Sequence, residues 1–149
     1  MALYYLDTSA LVKLYVREQG SDRVLALAAR SSANQMAILS LAQVELRSAI
    51  RRRERNGDIP AQTASELLDA FQRHLESRFA AQAVTDYILD IACQLVDRYC
   101  LRALDAVQLA GYINLRASAI PDVPCFVCGD HDLLAAAAQE GAPVLDPCA

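Results

Sequence analysis

Four acidic residues stand out because each follows or interrupts an apolar segment. Asp7 comes directly after the run ALYYL, and Asp130 comes one glycine after the run CFVC. Glu45 lies within the apolar helical segment SLAQVELRSAI, and Asp105 opens the segment LDAVQLA. Carboxylates brought together repel each other unless a cation neutralises them. Asp7 and Asp130 would form such a pair at the strand ends, and an oxygen-only ligand set suits a hard cation, so these two residues predict a site for Mg²⁺ or Mn²⁺.

Each of the two helical acids also has a purely structural explanation. Asp105 alone would be an acidic residue in a first helical turn, stabilised by the helix dipole. Glu45 alone could face solvent. However, its neighbours three and four positions away along a helix are apolar or small, which indicates a partly buried carboxylate in need of a partner; they are Leu41, Ala42, Ser48 and Ala49.

The elements that must position these acids alternate between short apolar runs and helical segments. Strands are predicted at 2–6, 36–39, 125–128 and 143–145, with a weaker candidate at 79–84. Helices are predicted at about 8–17, 22–30, 40–56, 60–75, 85–99, 105–117 and 133–141. This alternation predicts an α/β fold with a short, mainly parallel sheet of four or five strands. Ligands of such sheets bind beyond the carboxyl ends of the strands, where Asp7 and Asp130 fall.

Length and composition predict one domain spanning residues 1–149. Hydrophobic residues make up 54% of the chain and charged residues 21%, which favours a buried core over disorder. The longest charge-free stretch, 31–44, is shorter than the roughly 18 residues that span a bilayer. With no recognisable leader and an odd number of cysteines, the expected location is the cytoplasm, with reduced thiols.

The net charge of −4 argues against a nucleic-acid partner, since phosphates attract cations. Two divalent cations would cancel that charge. Basic residues are also concentrated after Glu45, at Arg47, Arg51, Arg52, Arg53 and Arg55. Arg52 lies about two turns beyond Glu45 on the same face, which makes it the candidate for a phosphate contact. A solvated helix face, or contact with an acidic protein segment, explains the cluster equally well.

The segment LDTSALVKLY closely resembles the opening of PIN-domain proteins, especially the VapC-type toxins of prokaryotic toxin–antitoxin pairs. The other acidic motifs follow in the family's order, so the resemblance runs from residue 2 to about 145. It implies a three-layer α/β/α fold in which Asp7, Glu45, Asp105 and Asp130 bind Mg²⁺ or Mn²⁺. It also implies endonucleolytic RNA cleavage by a metal-activated water, leaving a 3′-hydroxyl and a 5′-phosphate. A cognate antitoxin and a homodimer are the expected partners.

Residues around these acids refine the expectation. Thr8 and Ser9 are expected to hydrogen-bond the carboxylates or a water on the metal, although helix capping explains them equally well. Asp132 could take the role of Asp130, which is preferred for its D-x-x-L spacing. Family members often carry His where this chain has Gln108, and many carry Thr or Ser where it has Gly129. Neither departure removes a carboxylate. Both affect how the substrate is oriented and how the groups around the metal ligands hold them.

Other readings remain open at this point. A chain that kept the fold and lost turnover would be an RNA-binding or partner-binding module, and Gln108 and Gly129 leave room for it. A receiver domain would need adjacent acids and a late strand-end Lys, whereas the chain's only Lys is Lys13. A phosphatase with an Asp nucleophile would need D-x-D, which is absent after the first strand. Cys125 and Cys128 would face opposite sides of a strand, which disfavours a zinc or redox pair and predicts that both are thiols of the core.

Overall fold

The computed structural model describes residues 2–119 and 121–149. Strand β1 is Leu3–Leu6, and it is followed by α1 (Thr8–Leu11), α2 (Ser21–Ala28), β2 (Gln35–Leu39), α3 (Leu41–Arg55), α4 (Ala61–Ser77), β3 (Phe79–Gln82), α5 (Asp86–Arg98), α6 (Ala103–Ser118), β4 (Cys125–Val127), α7 (His131–Gln139) and β5 (Val144–Leu145). Short 3₁₀ turns follow α1 at Val12–Leu14 and α2 at Arg30–Ser32.

The five strands form one sheet in the order β3-β2-β1-β4-β5, and every neighbouring pair is parallel. Tyr5, in the central strand, aligns with Ala37 on one side and Phe126 on the other. The backbone N–H of Asp7 continues the ladder by donating to the Val127 carbonyl, with N···O of 3.2 Å. The predicted parallel sheet is therefore confirmed, and the carboxyl ends of β1 and β4 lie side by side.

Helices cover both faces of the sheet, and the strand residues alternate between the two layers. One core cluster joins the sheet to α5, α6 and α7, and its strand members are Tyr5, Ala37, Leu39 and Phe126. The other joins the sheet to α1, α2, α3 and α4, and its strand members are Leu6, Met36, Ile38 and Val127. This arrangement confirms the three-layer α/β/α architecture. The three inner strands, β1, β2 and β4, are largely apolar on both faces, as a parallel sheet between helices requires.

Helix α6 approaches the sheet closely at Gly111. A β-carbon at this position would lie 2.7 Å from the Tyr5 hydroxyl and 3.0 Å from a methyl of Leu39, so a larger residue would displace the helix. The Tyr5 ring stacks on Phe126 with centroids 5.7 Å apart, and the ring of Tyr112 meets it edge-on at 5.9 Å. This packing fixes the start of α6 beside the carboxyl edge of the sheet.

Several helix boundaries differ from the sequence prediction by a few residues, and two of them bear on the site. The first helix was expected to continue to about Arg17, but α1 ends at Leu11 and tightens into the 3₁₀ turn. Hydrophobic spacing does not distinguish the two helix types, and the burial of Tyr15 against Phe71 of α4 decides the path of the chain here. Helix α6 begins two residues before Asp105, which places that acid in the first turn. No described helix is both long and apolar enough to cross a bilayer.

Candidate active site at the carboxyl edge of the sheet

Asp7 is a buried carboxylate at the end of the central strand. Its residue is 4% exposed, and its Oδ1 caps α1 by accepting the Ala10 N–H at 3.1 Å. The Ser9 hydroxyl donates to the same oxygen at 2.6 Å. Burial raises the pKa of Asp7 to about 6, although these hydrogen bonds act in the opposite direction. The fold therefore holds a carboxylate whose charge is incompletely compensated by the protein itself.

Ser9 connects Asp7 to the loop that precedes Asp130. While its hydroxyl donates to Asp7, its oxygen accepts the backbone N–H of Gly129 at 2.8 Å. A β-carbon at Gly129 would lie 3.6 Å from the Ser9 hydroxyl oxygen, which is ordinary van der Waals contact. The position therefore has room for a small side chain, and the glycine contributes to the site through its backbone N–H.

The sulfur of Cys128 lies between two of the acids. Its thiol donates to Asp7 Oδ2 at 3.3 Å and accepts the backbone N–H of Asp130 at 3.2 Å. Burial, reinforced by the Asp7 charge, raises the pKa of this thiol, so it stays protonated and able to donate. Cys128 was predicted to be a core thiol. It is fully buried, and it also ties the ends of β1 and β4 together.

Glu45 is held by neutral donors. The Thr8 hydroxyl and the Gln108 amide both donate to Glu45 Oε1, each at 2.8 Å. Gln108 is 2% exposed, and its amide also donates to the Thr8 oxygen at 3.1 Å. Its carbonyl accepts the hydroxyl of Tyr5 at 2.9 Å, and burial together with Asp7 and Glu45 raises the pKa of that tyrosine. Both polar atoms of the Gln108 side chain therefore form hydrogen bonds, and the bond from the buried Tyr5 hydroxyl fixes the orientation of its amide.

Asp105 and Asp130 share one arginine. Arg102 Nε donates to Asp105 Oδ2 at 3.0 Å, and Arg102 Nη2 lies 3.6 Å from Asp130 Oδ2. The other oxygen of Asp130 caps α7 by accepting the N–H groups of Asp132 and Leu133. The two carboxyl side chains are 22% and 34% exposed, whereas the Arg102 side chain is 82% exposed. The exposed guanidinium of Arg102 thus lies across two carboxylates at the mouth of the site.

These hydrogen bonds and ion pairs bring all four acids into one region of the molecule. Asp7 and Asp130 meet through Cys128, and Asp130 and Asp105 meet through Arg102. Glu45 reaches Thr8, next to Asp7, and Gln108, one turn after Asp105. Within residues 2–119 and 121–149, however, no three His, Cys, Asp or Glu side chains are close enough as placed to hold one metal ion. Joint ligation of a cation by all four acids therefore stays a prediction.

The donor set nonetheless fits a hard divalent cation. Its four acids present carboxylate oxygens, and the buried thiol is protonated and engaged with Asp7. Asp7 carries a buried charge, and Asp105 and Asp130 already attract one cationic group. Asp7, Asp105 and Asp130 are the residues that would hold the ion, with Glu45 beside them. A cation would also relieve the repulsion among these acids.

Other candidates from the sequence lie outside this network. Arg52 is exposed and forms no hydrogen bond or ion pair with the described side chains. Asp132 is also exposed, one position inside α7, and its backbone N–H donates to Asp130. His131 turns towards Asp146, with Nε2 and Oδ2 3.4 Å apart. Thr8 and Ser9 both contact carboxylates, so their predicted hydrogen bonds are present.

Sequence reasoning missed two basic residues at the site. Arg102 precedes Asp105 by three positions, and this helical spacing could have identified the pair. Lys13 is buried, and its Cε would lie 3.6 Å from a β-carbon on Gly129. Its ammonium pairs with Glu18 at 2.9 Å, and Arg53 pairs with the other oxygen of Glu18 at 2.7 Å. Part of the arginine cluster is therefore structural.

Known proteins resemble this chain in sequence and in fold. The family model described as PIN domain matches residues 4–120. The protein named Ribonuclease VapC45 of Mycobacterium tuberculosis is 38% identical over 118 residues, which cover 74% of this chain and 74% of the relative.

Two solved structures share the fold at low identity. A toxin-antitoxin complex from Klebsiella pneumoniae has a TM-score of 0.63 at 18% identity and covers 97% of both chains. VapBC2 from Rickettsia felis, bound to a promoter DNA fragment, has a TM-score of 0.64 at 15% identity and covers 97% of this chain and 98% of the other.

Proposed function

Because the chain belongs to the PIN-domain family, we propose that it is a Mg²⁺- or Mn²⁺-dependent endoribonuclease and the toxin of a toxin–antitoxin pair. The observation that carries the proposal is the set of hydrogen bonds and ion pairs that brings Asp7, Glu45, Asp105 and Asp130 into one region at the carboxyl edge of the sheet. A relative named a ribonuclease, 38% identical to this chain, supports RNA as the substrate.

The chemistry would be divided between the cation and the protein. A divalent cation, when bound, polarises the phosphodiester and lowers the pKa of a water molecule. Asp7 is held rigidly by Ser9, Ala10 and Cys128, so it presents its carboxylate in one orientation. Glu45 has Oε1 occupied by two donors. We propose that its Oε2 accepts the proton of the attacking water.

Gln108 would maintain that role of Glu45. It donates to Oε1 and leaves the net charge of the site unchanged, and its own carbonyl is held by Tyr5. An imidazole can likewise donate from one nitrogen and accept at the other, so a family His and this Gln can serve the same hydrogen bonds. This equivalence favours an active enzyme over the alternative of a PIN fold that binds RNA without turnover.

The expected protein partners follow from the related structures. A toxin-antitoxin complex shares this fold, which supports a cognate antitoxin that inhibits the chain.

Self-association is supported by an apolar stripe of Leu89, Cys93 and Val96 on one exposed face of α5. Light scattering coupled to gel filtration tests the homodimer. A dimer mass for the wild type and a monomer mass for Leu89→Arg are expected, and a monomeric wild type would refute self-association.

Incubation of the purified protein with total RNA tests the nuclease proposal. Cleavage is expected with Mg²⁺ or Mn²⁺ and not with EDTA, and the products should carry 5′-phosphates. Asp130→Asn should abolish cleavage while preserving the α7 cap, because Asn caps helices as well as Asp does. Asp132→Asn is the matched control and should cleave as the wild type does. No cleavage with either metal, while RNA binding persists, would instead support the binding module.

A further inference from the structure

Arg102 is the one basic side chain, among the described residues, that forms ion pairs with two of the proposed metal-binding acids. It sits at the N-cap of α6 and bridges to the N-cap of α7. Its side chain is 82% exposed, although its two partners are largely covered. A long exposed side chain held only by ion pairs can leave them at small cost, since such pairs are weak in water.

Two positive groups would compete for these carboxylates. A divalent cation that takes Asp105 and Asp130 must displace the guanidinium or share the oxygens with it, and like charges at that distance repel. The guanidinium would then be released at the edge of the site, on an arm long enough to reach a neighbouring phosphate. Guanidinium groups bind phosphate oxygens through paired hydrogen bonds.

We propose that Arg102 is an exchangeable counter-ion. It neutralises Asp105 and Asp130 in the metal-free protein, and it moves to a backbone phosphate of the RNA when a divalent cation occupies the acids. This inference rests on the proposed nuclease function and adds to it a specific substrate-positioning residue. It predicts that Arg102 weakens metal binding and strengthens RNA binding, two effects of opposite sign that a merely structural arginine would not produce.

Metal binding is tested first, without RNA. Mn²⁺ is titrated calorimetrically into the wild type, Arg102→Gln, Arg102→Lys and Arg98→Gln at low ionic strength. Arg102→Gln should bind Mn²⁺ about two- to fivefold more tightly, the range expected when weak, exposed ion pairs that compete for the carboxylates are removed. Arg102→Lys keeps the charge and should stay close to the wild type. Arg98 pairs with Glu140 at the other end of α7, so its variant is the matched control and should be unchanged.

RNA binding is tested second, in a Glu45→Gln background that prevents cleavage. The affinity for a fluorescent single-stranded RNA is measured by anisotropy with Mn²⁺ and with EDTA. With Mn²⁺, Arg102→Gln should weaken binding about tenfold, the loss expected for a charge-assisted contact, and should lower the salt dependence by about one phosphate. With EDTA, Arg102→Gln should have no effect, because the guanidinium then stays on the acids.

The outcomes separate this inference from the function on which it rests. A wild type that binds no Mn²⁺ would refute the nuclease proposal and the exchange together. A wild type that binds Mn²⁺, with equal affinity in Arg102→Gln, would overturn the exchange and leave the nuclease intact. Equal weakening of RNA binding with Mn²⁺ and EDTA would show a fixed electrostatic contact, and would also overturn the exchange.

Discussion

The two halves of the site hold their acids by different means. In the inner half, Asp7 and Glu45 accept hydrogen bonds from neutral groups that are themselves fixed by the core. In the outer half, Asp105 and Asp130 lie at helix starts and share the exposed Arg102. Neutral donors orient a carboxylate without cancelling its charge, whereas a cation cancels it. The inner half therefore fixes the orientation of its two carboxylates. In the proposed exchange, the outer half replaces Arg102 by a metal ion.

The largest expected difference between the halves concerns Asp7→Asn. RNA cleavage should fall by about 10³-fold or more, because a ligand of the reacting centre is lost. Thermal stability in EDTA should stay the same or rise, since a buried charge is removed and Asn still caps α1. Asp105→Asn should also lose cleavage but should gain no stability, because it releases Arg102.

Cleavage assays and melting curves of the two variants check this contrast. Asp22→Asn, which removes an exposed carboxylate of α2, is the control for net charge. Retained cleavage in Asp7→Asn would remove this residue from the proposed mechanism. A large loss of stability in the same variant would show that the buried charge contributes to folding.

The second effect is the pH dependence of stability that Asp7 causes in the metal-free protein. Burial raises its pKa from an ordinary value near 4 to about 6, so the folded state binds a proton more tightly than the unfolded state does. Stability from this group is therefore highest below pH 4 and declines as pH rises to about 6. The total change is roughly 3 kcal/mol.

Denaturant unfolding in EDTA, at intervals from pH 4 to pH 7, measures this dependence. The difference between wild type and Asp7→Asn isolates Asp7 from other carboxyl groups, such as Glu140, whose pKa is lowered by Tyr99 and Arg98. Identical pH profiles for the two proteins would contradict an elevated Asp7 pKa.

The third effect concerns Gln108, whose amide holds Glu45 and Thr8 in the inner half of the site. Gln108→Leu removes the buried amide that donates to both Glu45 and Thr8 and should cost about 1–3 kcal/mol of unfolding free energy. Gln108→His should cost less and should retain cleavage, because imidazole provides one donor and one acceptor. Chemical denaturation and RNA cleavage of both variants check this. Equal losses in the two would show that volume, and not hydrogen bonding, matters at this position.

The smallest effect concerns the sulfur that joins the two halves. Cys128→Ala removes the donor to Asp7 and the acceptor for the Asp130 N–H, and should reduce cleavage about tenfold. Cys128→Ser restores both groups on a shorter side chain and should lose only a few-fold. Cys100→Ser, at an exposed thiol outside the proposed self-association surface, is the control in the cleavage assay. A serine variant no better than the alanine variant would contradict the positioning role.

Much of this molecule follows from local sequence pattern. The alternation of apolar runs with helical spacing predicted the parallel sheet, and Asp7 and Asp130 at strand ends could be placed at one edge from topology alone. Glu45 was identified by its apolar helical surroundings, and the structure gives it two hydrogen-bond donors. Arg52 shows the limit of such reasoning, because helical spacing from Glu45 could not reveal that the side chain would form no hydrogen bond or ion pair with a described residue.

The order of the acids, the residues flanking them and the strand pattern thus determined the family and the fold, because these depend on period and spacing along the chain. Only the tertiary structure decided what contacts each acid. Cys128 meets Asp7 across 121 positions, and Gln108 meets Glu45 across 63. Such contacts depend on how β1, β4, α3 and α6 pack, and no local pattern records that geometry. For the same reason, only the folded structure shows that Arg102 lies across the carboxylates of Asp105 and Asp130.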